Sequence, residues 1–376
     1  MRIGYDAKRA AHNFTGLGNY SRYVIEHVAK NNKYDIRLYT PRKSKNSEYQ
    51  ALYDHGKLSE STPNSFFARR FPSLWRSFAL TKEIRRDRIE LFHGLSNELP
   101  FGIRRSGAKS IVTIHDLIFL RLPHCYNLFD RVIYNYKFWY ACRKADMVLA
   151  ISECTKRDIM NYYGIESEKI SVVYQGCAGM FKKEATIEEK EEVKRVYNLP
   201  DKFILNVGTL EERKNLFLIV KGLRNLPNEI HVVAVGRKTN YSDMVMEYAR
   251  IHGLSDRVHL LHKVKYTHLP AIYQNADIFA YPSHYEGFGI PIIEAISSGK
   301  AVIAATGSCL EEAGGEGAIY VDPNSVEEFT EAAKRLINDK EYRKEIVEKG
   351  KEHIKKFEDK TISEELKKLY ENVINQ

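Results

Sequence analysis

The chain has no uninterrupted apolar run near the roughly 20 residues that a membrane-spanning helix needs. Its first residues, Met1-Arg-Ile-Gly-Tyr-Asp6, read directly as a strand and lack the apolar stretch of a signal peptide, so a cytosolic protein is expected. Cysteine is sparse. The five residues Cys125, Cys142, Cys154, Cys177 and Cys309 are odd in number, widely spaced and without a C-x-x-C pair. Neither a disulfide framework nor a zinc site is expected, and the thiols should be reduced. Asp-x-Asp is also missing, which removes one common way of holding a divalent metal on a diphosphate. There is no short-period repeat and no low-complexity tract.

What is present points to a two-domain soluble protein. A chain of 376 residues is long for one domain, and 43% hydrophobic with 28% charged residues is ordinary for a globular fold. The net charge of +9 and pI near 9 suggest an anionic partner: a phosphate-bearing substrate, an anionic membrane or nucleic acid. The positive charge is concentrated between Phe66 and Arg88. There Arg69, Arg70, Arg76, Lys82, Arg85, Arg86 and Arg88 alternate with Phe66, Phe67, Phe71, Leu74, Trp75 and Phe78. This stretch reads equally as a membrane-surface patch or as an amphipathic helix packing its aromatics on the core. Nucleic acid is not expected, because no reading module accompanies the charge.

Continuous apolar segments alternate with helical patterns along both halves, which predicts a doubly wound α/β architecture with parallel sheets covered on both faces. In the first half, 36–40, 89–93, 110–115, 147–152 and 170–174 read as strands, and 19–30, 134–144 and 153–163 as helices. In the second, the strands are 203–207, 231–235, 258–261, 277–281, 301–305 and 319–321. The helices there are 214–224, 242–252, 268–275, 290–298 and 325–338. The Glu- and Lys-rich segment 182–197 reads as a linker carrying an exposed helix, and the charged tail 341–375 as helical. Two such domains imply a cleft where a ligand binds.

Four segments carry candidate chemistry. In Tyr281-Pro-Ser-His-Tyr-Glu286-Gly-Phe-Gly289-Ile-Pro291-Ile-Ile-Glu294, one carboxylate sits in a glycine-punctuated loop after a strand and a second lies one turn into the following helix. The helix N-terminus between them suits a ligand with hydroxyls and phosphate, although a plain strand–loop–helix unit with two solvated glutamates has the same pattern. Pro291 suits the first helical turn, so the helix should begin near Ile290. In Asn13-Phe-Thr-Gly16-Leu-Gly18, two glycines between the first strand and first helix would let backbone N–H groups approach an anion, or simply form a flexible loop. Thr113-Ile-His115-Asp116 ends a strand, where His115 could bond a substrate hydroxyl with Asp116 orienting it, or be a satisfied rim histidine; His93 competes for that role. In Val207-Gly208-Thr209-Leu-Glu-Glu-Arg213-Lys214-Asn215, two cations at a helix start oppose the helix dipole, which favours an anionic partner over a merely solvated helix end.

Taken in order, these segments resemble the retaining GT-B glycosyltransferases of glycosyltransferase family 4. The resemblance extends through Ala145-Asp146-Met-Val-Leu-Ala-Ile-Ser152-Glu, Lys169-Ile-Ser-Val-Val-Tyr and Gly307-Ser308 to Val321-Asp-Pro323, so it covers nearly the whole chain. It implies two Rossmann-like domains facing across a cleft. Residues 1–180 would bind acceptor, 181–200 would link, 201–356 would bind the nucleotide sugar, and 357–376 would return to the first domain.

It further implies a metal-independent enzyme without a cofactor, using a GDP- or UDP-linked sugar. Arg213 and Lys214 would grip the diphosphate, and Glu294 the ribose hydroxyls. Glu286 would contact the sugar hydroxyls, aided by the Phe288, Gly289 and Ile290 N–H groups, with His115 near the reacting carbon and Gly16 and Gly18 also on the donor. Many members carry Arg where this chain has Thr209, so diphosphate binding leans on Arg213 and Lys214. Within the family the chain looks like the mannosyltransferase-like branch. That implies a hexosyltransferase with GDP-mannose as first donor, acting on a glycan or lipid-linked acceptor in surface polysaccharide (lipopolysaccharide or capsule) synthesis. Its expected place is the cytoplasm, or the inner face of the membrane as a peripheral protein. Alternatives are a related enzyme on a soluble sugar phosphate, a nucleotide-sugar epimerase, or, from another class, a non-catalytic membrane-associated binding subunit.

Overall fold

Strands of Val, Ile, Leu and Ala with no polar alternation are buried on both faces, and here they form two all-parallel sheets. The computed structural model describes residues 1–30 and 33–376. Among them, two units separate: 1–175 together with 359–376, and 176–358.

The first unit holds β1 (Arg2–Asp6), β2 (Asp35–Tyr39), β3 (Lys57–Ser61), β4 (Leu91–Gly94), β5 (Lys109–Ile114), β6 (Met147–Ala150) and β7 (Ile170–Val172). They run in the order β3-β2-β1-β4-β5-β6-β7. The second holds β8 (Phe203–Val207), β9 (His231–Val235), β10 (Val258–Leu261), β11 (Ile278–Tyr281), β12 (Ala301–Ala305) and β13 (Ala318–Val321), ordered β10-β9-β8-β11-β12-β13. Each unit is thus a doubly wound parallel sheet, as expected. In each sheet the strand order reverses once, between β1 and β4 and between β8 and β11, and the carboxyl ends of the strands at such a reversal open a ligand crevice.

Four local expectations change. Strand β3 was not foreseen: it is an edge strand with only Leu58 as a large apolar residue, so it carries no hydrophobic signal. Gly16 and Gly18 are not in a loop. A short helix, Lys8–His12, follows β1, and the two glycines open the helix Gly16–Ala29. A Cβ on Gly18 would lie 1.9 Å from the Asn13 carbonyl oxygen, so Gly18 serves a tight approach of two chain segments. The helix read from Lys214 begins only at Leu216, because Asn215 takes a left-handed conformation (φ 57°) that ends the preceding turn Glu212–Lys214.

The long helix Leu128–Lys144 starts at Leu128 rather than near 134, since its first apolar residues face outward. Ile187–Tyr197, helical as expected, starts with a Thr186–Glu189 capping box and rests on the helix Leu269–Asn275, with Asn275 Nδ2 donating to the Lys190 carbonyl (3.1 Å). The last helix, Asp359–Asn375, folds with the first unit. There Tyr370 shares hydrogen bonds with Tyr5 (3.1 Å) and with His93 Nδ1 (2.6 Å).

Candidate active site

The reversal between β8 and β11 places two loops side by side. Ile278 pairs with Ile204 and Phe279 with Leu205, so the loop after Val207 and the loop after Tyr281 leave the same edge of the sheet. The first loop carries Arg213 and Lys214, and the second carries Glu286. Asn215 ties them together, its side-chain amide donating to the carbonyls of Pro282 (3.1 Å) and Pro323 (2.7 Å). A left-handed Asn is therefore the local device that turns Lys214 away from the helix axis and toward Glu286.

The result is a buried ion cluster. Lys214 Nζ lies 2.6 Å from Glu286 Oε1, and Arg213 Nη1 lies 2.9 Å from Glu286 Oε2. Lys214 also donates to the Tyr281 hydroxyl at 2.5 Å. Arg213 donates to the Tyr285 carbonyl (2.6 Å) and reaches Glu211 (2.7 Å). Burial by itself would raise the Glu286 carboxyl, but the Lys214 ammonium and Arg213 guanidinium override it and bring it down to about 2. The dipole argument for an anionic partner thus needs amending. The two cations precede the helix rather than sit in its first turn, and protein carboxylates already oppose them.

Glu294 is held differently. It lies in the helix Ile290–Ser297, which starts at Gly289 with Pro291 in its first turn. Gly289 has φ 153°, open to glycine and rarely to other residues. The Glu294 carboxylate has the Tyr273 hydroxyl at 2.9 Å and, among the described residues, no cation paired with it. Burial pushes it up to about 7, with the Tyr273 bond pulling weakly the other way. Two glutamates eight residues apart thus have opposite characters: one permanently ionised, one poised near neutrality. The buried Cys309 Sγ lies 3.0 Å from the Glu286 and 2.6 Å from the Phe288 carbonyl oxygen, so its single S–H is shared between them and fixes the loop. Tyr281, Tyr273, Asn215 and Cys309 escaped the sequence reading. Tyr281 had a signal in its place at the end of β11, and Asn215 in closing the Val207–Asn215 motif.

One glycine pair holds the β8 loop. A Cβ on Gly236, just after β9, would lie 1.8 Å from the Gly208 carbonyl oxygen, and Gly208 packs against the Lys214 side chain. Gly236→Ala should therefore destabilise the protein by about 1–3 kcal/mol and displace the Gly208 loop, seen as a lower denaturant midpoint.

In the first unit, His115 is buried after β5. Its Nε2 faces the Leu95 carbonyl (2.9 Å), and its backbone N–H donates to Asn97 Oδ1 (2.7 Å). The Leu95 carbonyl orients the ring, and Asp116 Oδ1 accepts from the Ile118 N–H (3.1 Å). Burial brings the His115 imidazole down to about 4, so it is neutral at pH 7 with Nε2 carrying the proton and Nδ1 a lone pair. His93 is instead committed to Tyr370 and to Thr113 Oγ1 (2.8 Å). The Gly18 N–H is taken by Asn13 Oδ1 (3.1 Å) and the Thr15 carbonyl (2.9 Å) and is not offered to a ligand. Among the described residues, no group of three or more His, Cys, Asp or Glu side chains is placed to hold a metal ion.

Comparison with known proteins identifies the family. Residues 14–177 match the Glycosyltransferase Family 4 profile, and residues 188–353 match Glycosyl transferases group 1. The chain is a family 4 glycosyltransferase. The glycosyltransferase is 24% identical to the O-antigen chain mannosyltransferase B of Escherichia coli, over 95% of this chain and 96% of that one. It is 28% identical to the O-antigen chain mannosyltransferase RfbU of Salmonella typhimurium, over 60% of each. Its fold is similar to that of Anabaena Alr3699/HepE, solved in complex with UDP and glucose: TM-score 0.77, 16% identity, 99% of this chain and 100% of that one.

Proposed function

We propose that the enzyme transfers a hexose, mannose first, from a nucleoside-diphosphate sugar to a glycan or lipid-linked acceptor of a surface polysaccharide, with retention of configuration. The observation that carries this is the buried Arg213–Glu286–Lys214 cluster, with the near-neutral Glu294 in the helix that follows. A diphosphate needs fixed cations, a sugar needs an ionised acceptor for its hydroxyls, and a ribose needs a second carboxylate beyond them. The mannosyltransferase relatives support mannose, and hence GDP-mannose.

In this reading Glu286 accepts hydrogen bonds from the sugar hydroxyls. Lys214 then turns from Glu286 and Tyr281 toward the diphosphate, while Arg213 stays anchored on the Tyr285 carbonyl. Ile290 opens a helix whose dipole favours negative charge at its N-terminus, although Pro291 has no N–H and the Ile292 N–H already donates to the Gly289 carbonyl (2.9 Å). The bond from the anomeric carbon to the diphosphate oxygen breaks as the acceptor oxygen attacks from the same face. The departing diphosphate takes the acceptor's proton, and the cations stabilise the charge that develops on it. No metal or cofactor is needed for these steps.

The test is thermal denaturation with GDP-mannose, UDP-glucose, UDP-galactose and UDP-N-acetylglucosamine. GDP-mannose should raise the midpoint most. A response confined to a UDP sugar would overturn the mannose assignment but leave sugar transfer standing. Conversion of a donor to its epimer without acceptor would replace transfer by epimerisation. No response to any donor would favour a non-catalytic subunit.

A further inference from the structure

The first unit exposes an apolar surface that sugar transfer does not use. In the stretch from Phe66 to Arg88 the structure divides the aromatics. Trp75, Leu80 and Ile84 enter the core, whereas Phe66 (86% exposed), Phe67, Phe71, Leu74 and Phe78 point outward. Arg76 leaves the surface as well, pairing with Asp6 (2.9 Å) and Glu98. A second outward set lies on the helix Leu128–Lys144. Leu128, Phe129 (83% exposed), Val132, Ile133, Tyr136 and Trp139 repeat every three or four residues and make one stripe. The opposite face, with Phe138, Ala141 and Cys142, is buried, so this helix is apolar on both sides. Aromatic contacts join the two sets: Phe78 stacks on Phe101 (5.1 Å), Phe101 meets Tyr136 (6.0 Å), and Tyr136 meets Trp139 (6.3 Å). A continuous apolar band of this size, left in water, marks an interaction surface.

The charges around the band choose the occupant. No carboxylate occurs between Glu60 and Glu83, while Arg69, Arg70 and Lys82 are exposed there. On the helix, Arg143 and Lys144 are exposed, and the lone carboxylate, Asp130, is bonded to Asn127 (2.5 Å). Glu98, under the band, is taken by Arg76 and Lys137. A second copy of this chain would bring like charges together. An anionic lipid surface meets cations with headgroups and receives the aromatic tips below them. We propose that this band docks the enzyme on an anionic bilayer, with the helix Leu128–Lys144 lying along the headgroup boundary.

The chain provides its own reporter. Of two tryptophans, Trp139 is on the band at 39% exposure and Trp75 is buried at 3%. Flotation with phosphatidylcholine vesicles, with and without phosphatidylglycerol, should recover the enzyme only with the anionic lipid, and less at high salt. Trp139 emission should shift to the blue on binding, read without interference in Trp75→Phe. Phe129→Ser with Ile133→Ser, and separately Arg69→Glu with Arg70→Glu, should each lower the partition coefficient by about tenfold or more. These side chains are exposed, so the denaturation midpoint and its response to donor should not move, which separates this outcome from failure of the donor assignment. No partition of wild type at low salt, or partition that survives both double variants, overturns the proposal. So does self-association without vesicle binding that Phe129→Ser with Ile133→Ser abolishes, which would make a second copy the occupant.

Discussion

Lys214→Ala should lower turnover by about 100- to 1,000-fold while leaving the protein folded. The reason lies in how the cluster is partitioned. Glu286 keeps Arg213 at 2.9 Å when Lys214 is gone, so its buried charge stays compensated. Arg213 is held by the Tyr285 carbonyl and Glu211 and cannot follow the leaving diphosphate as charge accumulates on it. Lys214 is the cation free to transfer, because its bonds run to one carboxylate oxygen and a tyrosine hydroxyl. An interaction made mainly in the transition state shows in kcat more than in KM. Release of nucleoside diphosphate, measured under saturating donor, reads this directly. Unchanged kcat would remove Lys214 from the chemistry. Loss confined to KM would make it a ground-state anchor.

The fold was largely legible because its signals are local. Buried parallel strands write themselves as runs such as Phe203–Val207, and the boundaries of β8, β9, β10 and β12 came directly from those runs. Where burial is partial the signal fades. Lys57–Ser61 at a sheet edge reads as polar, and Leu128–Ile133 does not read as helix because its apolar residues face outward rather than into the core. Gly16 and Gly18 misled for another reason. Glycine marks a close approach as readily as a flexible loop, and only the 1.9 Å that would separate a Gly18 Cβ from the Asn13 carbonyl oxygen tells which.

In the site, order along the chain identified Lys214, Glu286 and Glu294, but not what each one touches. Tyr273 reaches Glu294 from another helix, and Cys309 reaches the Glu286 loop from beyond the next strand. Lys214 and Arg213 lower Glu286 while burial raises Glu294, and no spacing rule contains that difference. The chain also resembled its family through residues whose structural reason differs from the one first read. Asn215, the last residue of the β8 loop motif, is a backbone switch and clamp rather than a helical residue.

Glu294→Gln should move stability and donor binding in opposite directions. The Glu294 carboxyl titrates near 7 in the folded protein against an ordinary 4.5, so the native state binds its proton more tightly than the unfolded chain. Its contribution is therefore fully present below about 4.5 and is lost as pH rises through about 7. By pH 8 the loss is on the order of 3 kcal/mol, the cost of ionising a carboxyl with one hydroxyl partner and no cation. Gln cannot ionise and can still hydrogen-bond Tyr273. The variant should consequently denature about 5 °C or more above wild type at pH 8, with the gap closing at pH 5. Donor binding asks the reverse of this position. An ionised carboxylate accepts two ribose hydroxyls, whereas an amide offers one acceptor oxygen and two donors. Nucleotide affinity should fall by roughly 10- to 100-fold in the variant, and in wild type it should strengthen as pH rises through about 7. Denaturation midpoints at the two pH values, with and without donor, test both halves. A variant less stable at pH 8 would show that Glu294 is ionised and compensated in the free enzyme. A variant more stable yet fully responsive to donor would place the nucleotide elsewhere. The predicted pairing, stability gained and binding lost, is what a carboxylate held neutral until a ligand supplies its hydrogen bonds must give.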